Sequence, residues 1–200
     1  MRYLTLLFVI MLFGCRQQKQ EPPPDSAVRE DLPAVRQKGM EITKQAFGTL
    51  SSNLKQALEE GGVPYALKFC NIEAMPLTDS LSKRYGVELR RVSHRPRNPS
   101  NKADSLEMES IRQYRASIAD NEELKPFTFR YEDAFLYHAP IQINSGLCLN
   151  CHGQPGTDIS DQNLKVINEL YPQDEATGFS MGELRGIWSI KFPKAAIDSL

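Results

Sequence analysis

Cys148-Leu149-Asn150-Cys151-His152 constrains this 200-residue chain more than any other stretch. Two thiols three positions apart lie on nearly one side of a helical turn, and the next residue carries an imidazole. That spacing lets both sulfurs add to the two vinyl groups of one haem while the histidine points at its iron, and Cys-x-x-Cys-His is the attachment signature of c-type haem. The pattern predicts one covalent haem c held through Cys148 and Cys151, with His152 as an axial ligand. Two other chemistries use such thiols. A Cys148–Cys151 disulfide of thioredoxin type needs no histidine there. A zinc site of Cys70, Cys148, Cys151 and a histidine would have to reach two corners of one tetrahedron from the adjacent Cys151 and His152.

The N-terminus fits attachment outside the cytoplasm. Arg2 precedes an apolar run, Tyr3 to Phe13, of signal-peptide length and too short to span a bilayer. Gly14 directly before Cys15 resembles a bacterial lipobox. Residues 1–15 are expected to form a signal peptide ending at Cys15, which becomes the lipidated first residue of an exported, periplasmic, membrane-anchored protein. An ordinary signal peptide and an uncleaved anchor are the competing readings. Residues 16–31, polar and carrying Pro22-Pro23-Pro24, read as a disordered tether. The folded domain is expected over 32–200. With 40% hydrophobic and 24% charged residues it has the makings of an ordinary core, and a net charge of -1 gives no reason to expect nucleic acid as a partner.

Within that domain the hydrophobic period is first helical. Phe47, Leu50, Leu54 and Leu58 predict one face of a helix from Pro33 to Glu60, stopped by Gly61-Gly62. Pro64 opens a second helix carrying Leu67, Cys70, Leu77 and Leu81, which Pro76 is expected to break or kink. Residues 87–92 suggest a strand, 93–101 a loop, and 102–119 a helix burying Leu106, Ile111, Tyr114 and Ile118. The period then drops to two. Phe127, Phe129 and Tyr131, and then Phe135, Tyr137, Ala139, Ile141 and Ile143, predict a hairpin turning at Glu132-Asp133. A short helix around Leu164 to Leu170 and a last strand with Trp188, Ile190 and Phe192 complete an α+β domain.

Cysteine arithmetic bears on the second axial position. With Cys15 assigned to lipid and Cys148 and Cys151 to haem, Cys70 is the remaining thiol. Its place on an apolar helical stripe predicts burial, either as a small core residue or as a thiolate facing the iron. His94, His138 and the methionines Met40, Met75, Met108 and Met181 are the rivals. Strand parity turns His138 away from Tyr137 and Ala139, which makes it a surface or hydrogen-bonded histidine. Of Arg90, Arg91, Arg95 and Arg97, the last two are the candidates for haem propionates, which suit a forked guanidinium. Gly146, Gly153 and Gly156 bracket the motif and would let backbone approach a porphyrin closely.

Lys68-Phe69-Cys70-Asn71, Arg97-Asn98-Pro99-Ser100-Asn101, the Cys-x-x-Cys-His motif and Gly182-Glu183-Leu184-Arg185-Gly186-Ile187-Trp188-Ser189-Ile190 occur in that order. Together they resemble the Tll0287-like family over roughly residues 35–195. The resemblance implies a PAS-like antiparallel sheet with long N-terminal helices around one haem c. It also implies axial ligation by His152 and, from an N-terminal helix, by Cys70. The expected function is low-potential electron transfer with an unidentified redox partner protein; the alternative is a haem-based redox or gas sensor. A ligand on each side of the iron leaves no open position, and no distal acid–base pair is visible, so an enzyme is not expected.

Overall fold

The structure, a computed structural model, describes residues 27–131 and 133–197. The expected signal peptide, Cys15 and most of the expected tether lie outside these residues. Helix α1 spans Pro33–Tyr85, with Pro33 in its first turn, where a missing N–H costs nothing. Gly61 (φ -157°, ψ 22°) and Gly62 (φ 66°, ψ -164°) divide it into two helical segments at the expected place. Only glycine holds the second of these conformations without strain. Of the break or kink expected at Pro76, the break does not occur: the backbone stays helical through it. The carbonyl it deprives of a donor belongs to Ile72, which is 66% exposed, so water can serve that carbonyl.

Strands β1 (Ala27–Arg29), β2 (Glu88–Val92), β3 (Phe127–Tyr131), β4 (Ala134–Gln142) and β5 (Leu184–Pro193) form one antiparallel sheet in the order β1-β3-β4-β5-β2. The strand that follows α1 thus pairs with the last strand, as a PAS-like sheet requires. Strand β1 falls inside the segment read as a tether, so the paired structure begins before residue 32. Its residues bond to β3, and Glu30 N–H continues the ladder to Thr128 O at 3.1 Å.

Both faces of the sheet are covered. On one, Leu89, Tyr137, Trp188, Ile190 and Phe192 pack with Val35, Ile42, Ala46 and Leu81 of α1. The expected helical stripe is displaced here: Phe47 is 59% exposed, and Leu50, Leu54 and Leu58 are half-buried. The face that meets the sheet is instead the small-residue one, because Gly39 and Ala46 let the helix settle on Tyr137. On the other face, Val92, Phe127, Phe129, Leu136 and Ile187 pack with Ile111 and Tyr114 of helix α2 (Ser105–Ala119). Asp104 and Glu107 cap α2 reciprocally, each side chain accepting the other's backbone N–H. His138, on this second face, is not a surface residue. Its parity was read correctly, but α2 buries that face too, and His138 is 1% exposed with Nδ1 bonded to Ser110 Oγ at 2.7 Å.

Helices α3 (Gly146–His152), α4 (Asp161–Leu170) and α5 (Lys194–Ile197) complete the chain. The C-terminal ends of β2 and β4 and the start of β5 share one edge of the sheet. From that edge leave the loop after β2, helix α3 and the segment returning to β5. No described helix is long and apolar enough to cross a membrane.

Candidate haem site

Helix α3 is the Cys-x-x-Cys-His motif itself. Ser145 caps it, Oγ accepting from Leu147 N–H at 3.2 Å, and Gly153 N–H closes it onto Leu149 O at 2.8 Å. Seven residues make a marginal helix alone, so its position depends on what clamps it. Two loops do. From the returning segment, Phe179 N–H bonds His152 O at 2.8 Å and Gly178 N–H bonds Gly153 O at 2.7 Å. From the loop after β2, Arg97 donates Nη2–H to Cys151 O at 2.6 Å. A Cβ on Gly153 would stand 2.4 Å from Asp158 Cβ and 2.7 Å from Leu149 O. Its lack of a side chain therefore serves packing within the protein.

The histidine is oriented. His152 Nδ1 lies 2.8 Å from Ala176 O. A carbonyl only accepts, so Nδ1 carries the proton and Nε2 keeps a free lone pair. Burial, then the charges of Arg185 and Arg97, holds His152 well below the ordinary imidazole pKa, so it is neutral. Ala176 is fixed in turn by Asp174, whose Oδ1 accepts Ala176 N–H at 3.0 Å. Asp174 also forms a forked ion pair with Arg97, at 2.9 and 3.3 Å, and the two side chains are only 5% and 12% exposed.

Cys70 lies on the second segment of α1, half-buried rather than fully buried. Burial raises its thiol pKa, opposed by the charges of Arg91 and Arg97. Burial also pushes Cys151 up to about 11, and the Cys70 and Cys148 thiols add to that push. The three thiols are thus electrostatic neighbours; none is in a disulfide. Cys151 packs with Leu67 of α1 and Ile167 of α4, and Cys148 packs with Ala176 and Phe179. Among the described residues, no three His, Cys, Asp or Glu side chains form a metal cage, as the zinc reading requires.

The other expected residues are placed as follows. Arg95 donates to Glu175 O at 3.0 Å and to Thr177 O, and lies over the Phe179 ring. Arg95 and Arg97 therefore both hold the segment beneath His152. Arg91 differs: it has no hydrogen bond or ion pair among the described residues, only the Trp188 ring at 5.9 Å. Burial lowers its pKa while Cys70 and Tyr171 oppose the shift, so it lies within electrostatic reach of both. His94 and His152 meet the same ring, Phe179, each edge-on. His94 Nδ1 is buried without a hydrogen-bond partner among the described residues, and burial with the charges of Arg115 and Arg95 lowers the imidazole to about 4. Met40 and Met181 are exposed, Met108 on α2 packs against the core between that helix and the sheet, and His138 is on the far face.

Asp174, Ala176, Phe179 and Arg185 were not singled out from the sequence. Arg185 was visible only as part of the closing segment. In the structure it is half-buried, donates to Ser93 Oγ and Arg95 O at 2.9 and 3.0 Å, and is pushed down to about 9 by desolvation and the Arg97 charge.

A sequence model of the Tll0287-like family matches residues 18–193. The chain belongs to the Tll0287-like family. No curated protein matches it. Among solved structures, the crystal structure of the cyanobacterial haem protein Tll0287 is 23% identical, with a TM-score of 0.59. The match covers 82% of this chain and 97% of that one, which shows a shared fold. The α+β, PAS-like expectation stands, and the residues matched by the family model include the segments that hold α3 in this chain.

Proposed function

We propose that this protein is an exported, membrane-anchored, single-haem c-type cytochrome that transfers electrons at low potential. The observation that carries the reading is the state of His152. Directly after two thiols on one helical turn, it has Nδ1–H committed to Ala176 O, which leaves Nε2 as a bare donor of the kind an iron ligand needs. The haem-protein character of the solved relative supports the cofactor.

In this reading Cys148 and Cys151 would hold the haem covalently through their sulfurs, and His152 and Cys70 would ligate its iron. When bound, the haem supplies a one-electron ferric/ferrous couple. Cys70, as thiolate, favours the ferric form and sets the potential below that of a His/Met cytochrome. Arg91, a half-buried cation without an anionic partner among the described residues, takes the propionate role expected of Arg95 and Arg97. A ligand on each side of the iron disfavours enzymatic turnover. Lipid on Cys15 anchors the domain to a membrane, where a redox partner protein docks.

A potentiometric titration with visible and EPR spectra in both redox states tests the reading. The expected result is a low-spin ferric signal that Cys70→Ala abolishes or shifts, a low midpoint, and no reaction with CO. An unchanged ferric signal in Cys70→Ala would rule out thiolate ligation. Rapid CO binding with ligand displacement would favour a sensor. Cys15→Ser should release the protein from the membrane fraction, and retention there would exclude the lipid anchor.

A further inference from the structure

The sheet face under α2 carries two adjacent rows with polar and charged side chains. His138 of β4, Ser189 of β5 and Arg90 of β2 stand side by side across three strands, and Leu136, Lys191 and Glu88 form the next row. A cavity of about 210 Å³ lies over them. Its roof is the first turn of α2 with its cap, Asp104 to Glu107. A cavity of roughly 150 Å³ already admits benzene, so this one suits a slightly larger guest. It lies on the face of the sheet opposite α1, which carries Cys70, and owes nothing to the haem reading.

The donors and acceptors are specific. Ser110 is completely buried, and among the described residues its hydroxyl has one hydrogen-bond partner, His138 Nδ1. A hydroxyl proton in so dry a place must go to that nitrogen, so Ser110 donates and the imidazole proton sits on Nε2. Burial lowers His138 to about 3, so the ring is neutral at physiological pH. With Nδ1 taken, His138 offers the cavity an Nε2–H that has no acceptor among the described residues, although the residue is 1% exposed. Also in the lining is Glu107, 3% exposed, which receives Asp104 N–H at 2.9 Å and Arg90 at 3.3 Å, with the Ser189 hydroxyl beside its carboxylate. Lys191 and Glu88 stand opposite each other in the strand register, yet neither makes an ion pair among the described residues. The lining thus offers an ammonium and a carboxylate, a buried N–H donor and a buried carboxylate. Leu106, Leu136 and Tyr131 supply the apolar wall. A bare anion would meet Glu88, Asp104 and Glu107; a bare cation would meet Arg90 and Lys191.

We infer that this cavity binds a small zwitterion of the aliphatic α-amino-acid class. Its carboxylate meets His138 Nε2–H and the Lys191 ammonium. Its ammonium meets Glu88 and Glu107. Its side chain lies against Leu106 and Leu136. Calorimetric titration of the purified full chain tests this with L-leucine and L-valine, against isovalerate, which lacks the ammonium, and isoamylamine, which lacks the carboxylate. L-leucine or L-valine should bind at one site, with both truncated probes at least about tenfold weaker. Lys191→Ala and His138→Gln should each weaken binding by roughly tenfold, the worth of one charge-assisted hydrogen bond. Lys191 is exposed, so Lys191→Ala probes the site without disturbing the core. Absence of saturable heat with either amino acid up to ~10 mM would overturn the inference and leave water as the occupant. Equal affinity for a truncated probe, or unchanged affinity in Lys191→Ala, would overturn it as well.

Discussion

His152 donates its Nδ1 proton to the carbonyl of Ala176 across 2.8 Å, and Asp174 holds the amide of the same Ala176. Asp174 thereby couples the imidazole to Arg97, whose guanidinium also grips Cys151 O. Asp174→Ala should leave Arg97 buried without its carboxylate and lower the unfolding free energy by about 3 kcal/mol, a usual cost of breaking a buried pair from one side. Asp174→Asn, which keeps an acceptor for Ala176 N–H, should cost less. Urea unfolding of the three proteins measures the series, and equal stability of Asp174→Ala and the parent would show that the pair does not brace the site.

Arg91 offers a test of charge placement. It is a cation within electrostatic reach of Cys70 with no anionic partner among the described residues. Replacing it with Met keeps the apolar stem and removes the charge. In the haem-bound protein this should lower the midpoint potential, because a positive charge near the iron disfavours the ferric state. The same change in Arg95, which lies over Phe179 and bonds Glu175 O, should act mainly on stability. A larger potential shift for Arg95 than for Arg91 would reverse the assignment of the propionate partner.

Much of this site could be read from the chain because its parts are local. The thiols and imidazole of 148–152 are fixed by spacing, Gly61-Gly62 announces its own break, and alternation places Tyr137 and Ala139 on the α1 face. What could not be read is non-local or has no residue type of its own. Ala176 contributes a backbone carbonyl, which any residue would supply. Arg97 finds Asp174 at a separation of 77 positions. Periodicity marks a stripe but not which side of it meets the sheet, so Phe47 was placed inward while Gly39 and Ala46 make the contact. His138 was turned the right way, but parity along one strand cannot reveal that α2 covers the other face.

All three histidines are held below the ordinary imidazole pKa: His94 at about 4, His138 at about 3, and His152 well below 6.5. The folded chain therefore binds fewer protons than the unfolded one below pH 6.5, and stability is lost as pH falls from 6.5 towards 3. Each such histidine contributes a slope of about 1.4 kcal/mol per pH unit between 6.5 and its own folded value. His138, buried mainly by α2 and the sheet, can be isolated from the haem site. His138→Gln should be less stable at pH 7 yet lose roughly 1.4 kcal/mol less per pH unit between pH 6 and 4. Urea unfolding at pH 7, 6, 5 and 4 measures both slopes, and parallel curves would show that His138 does not couple to folding.

Two glycines of α1 should respond oppositely to the same substitution. Alanine is the better helix former by roughly 0.5–1 kcal/mol, so each change gains that much where space allows. At Gly48 a Cβ meets nothing within 4 Å, and Gly48→Ala should stabilise the protein by about that amount. At Gly39 the Cβ would stand 2.4 Å from Cδ2 and Cγ of Tyr137, a ring only 1% exposed and held between α1 and the sheet. Overpacking of that kind costs roughly 1–3 kcal/mol, which outweighs the helical gain. Gly39→Ala should therefore destabilise by about 2 kcal/mol net, with the near-ultraviolet signal of Tyr137 altered. Thermal and urea unfolding of the two variants give the comparison. A stabilising Gly39→Ala would mean that α1 does not rest on Tyr137 as closely as this structure places it.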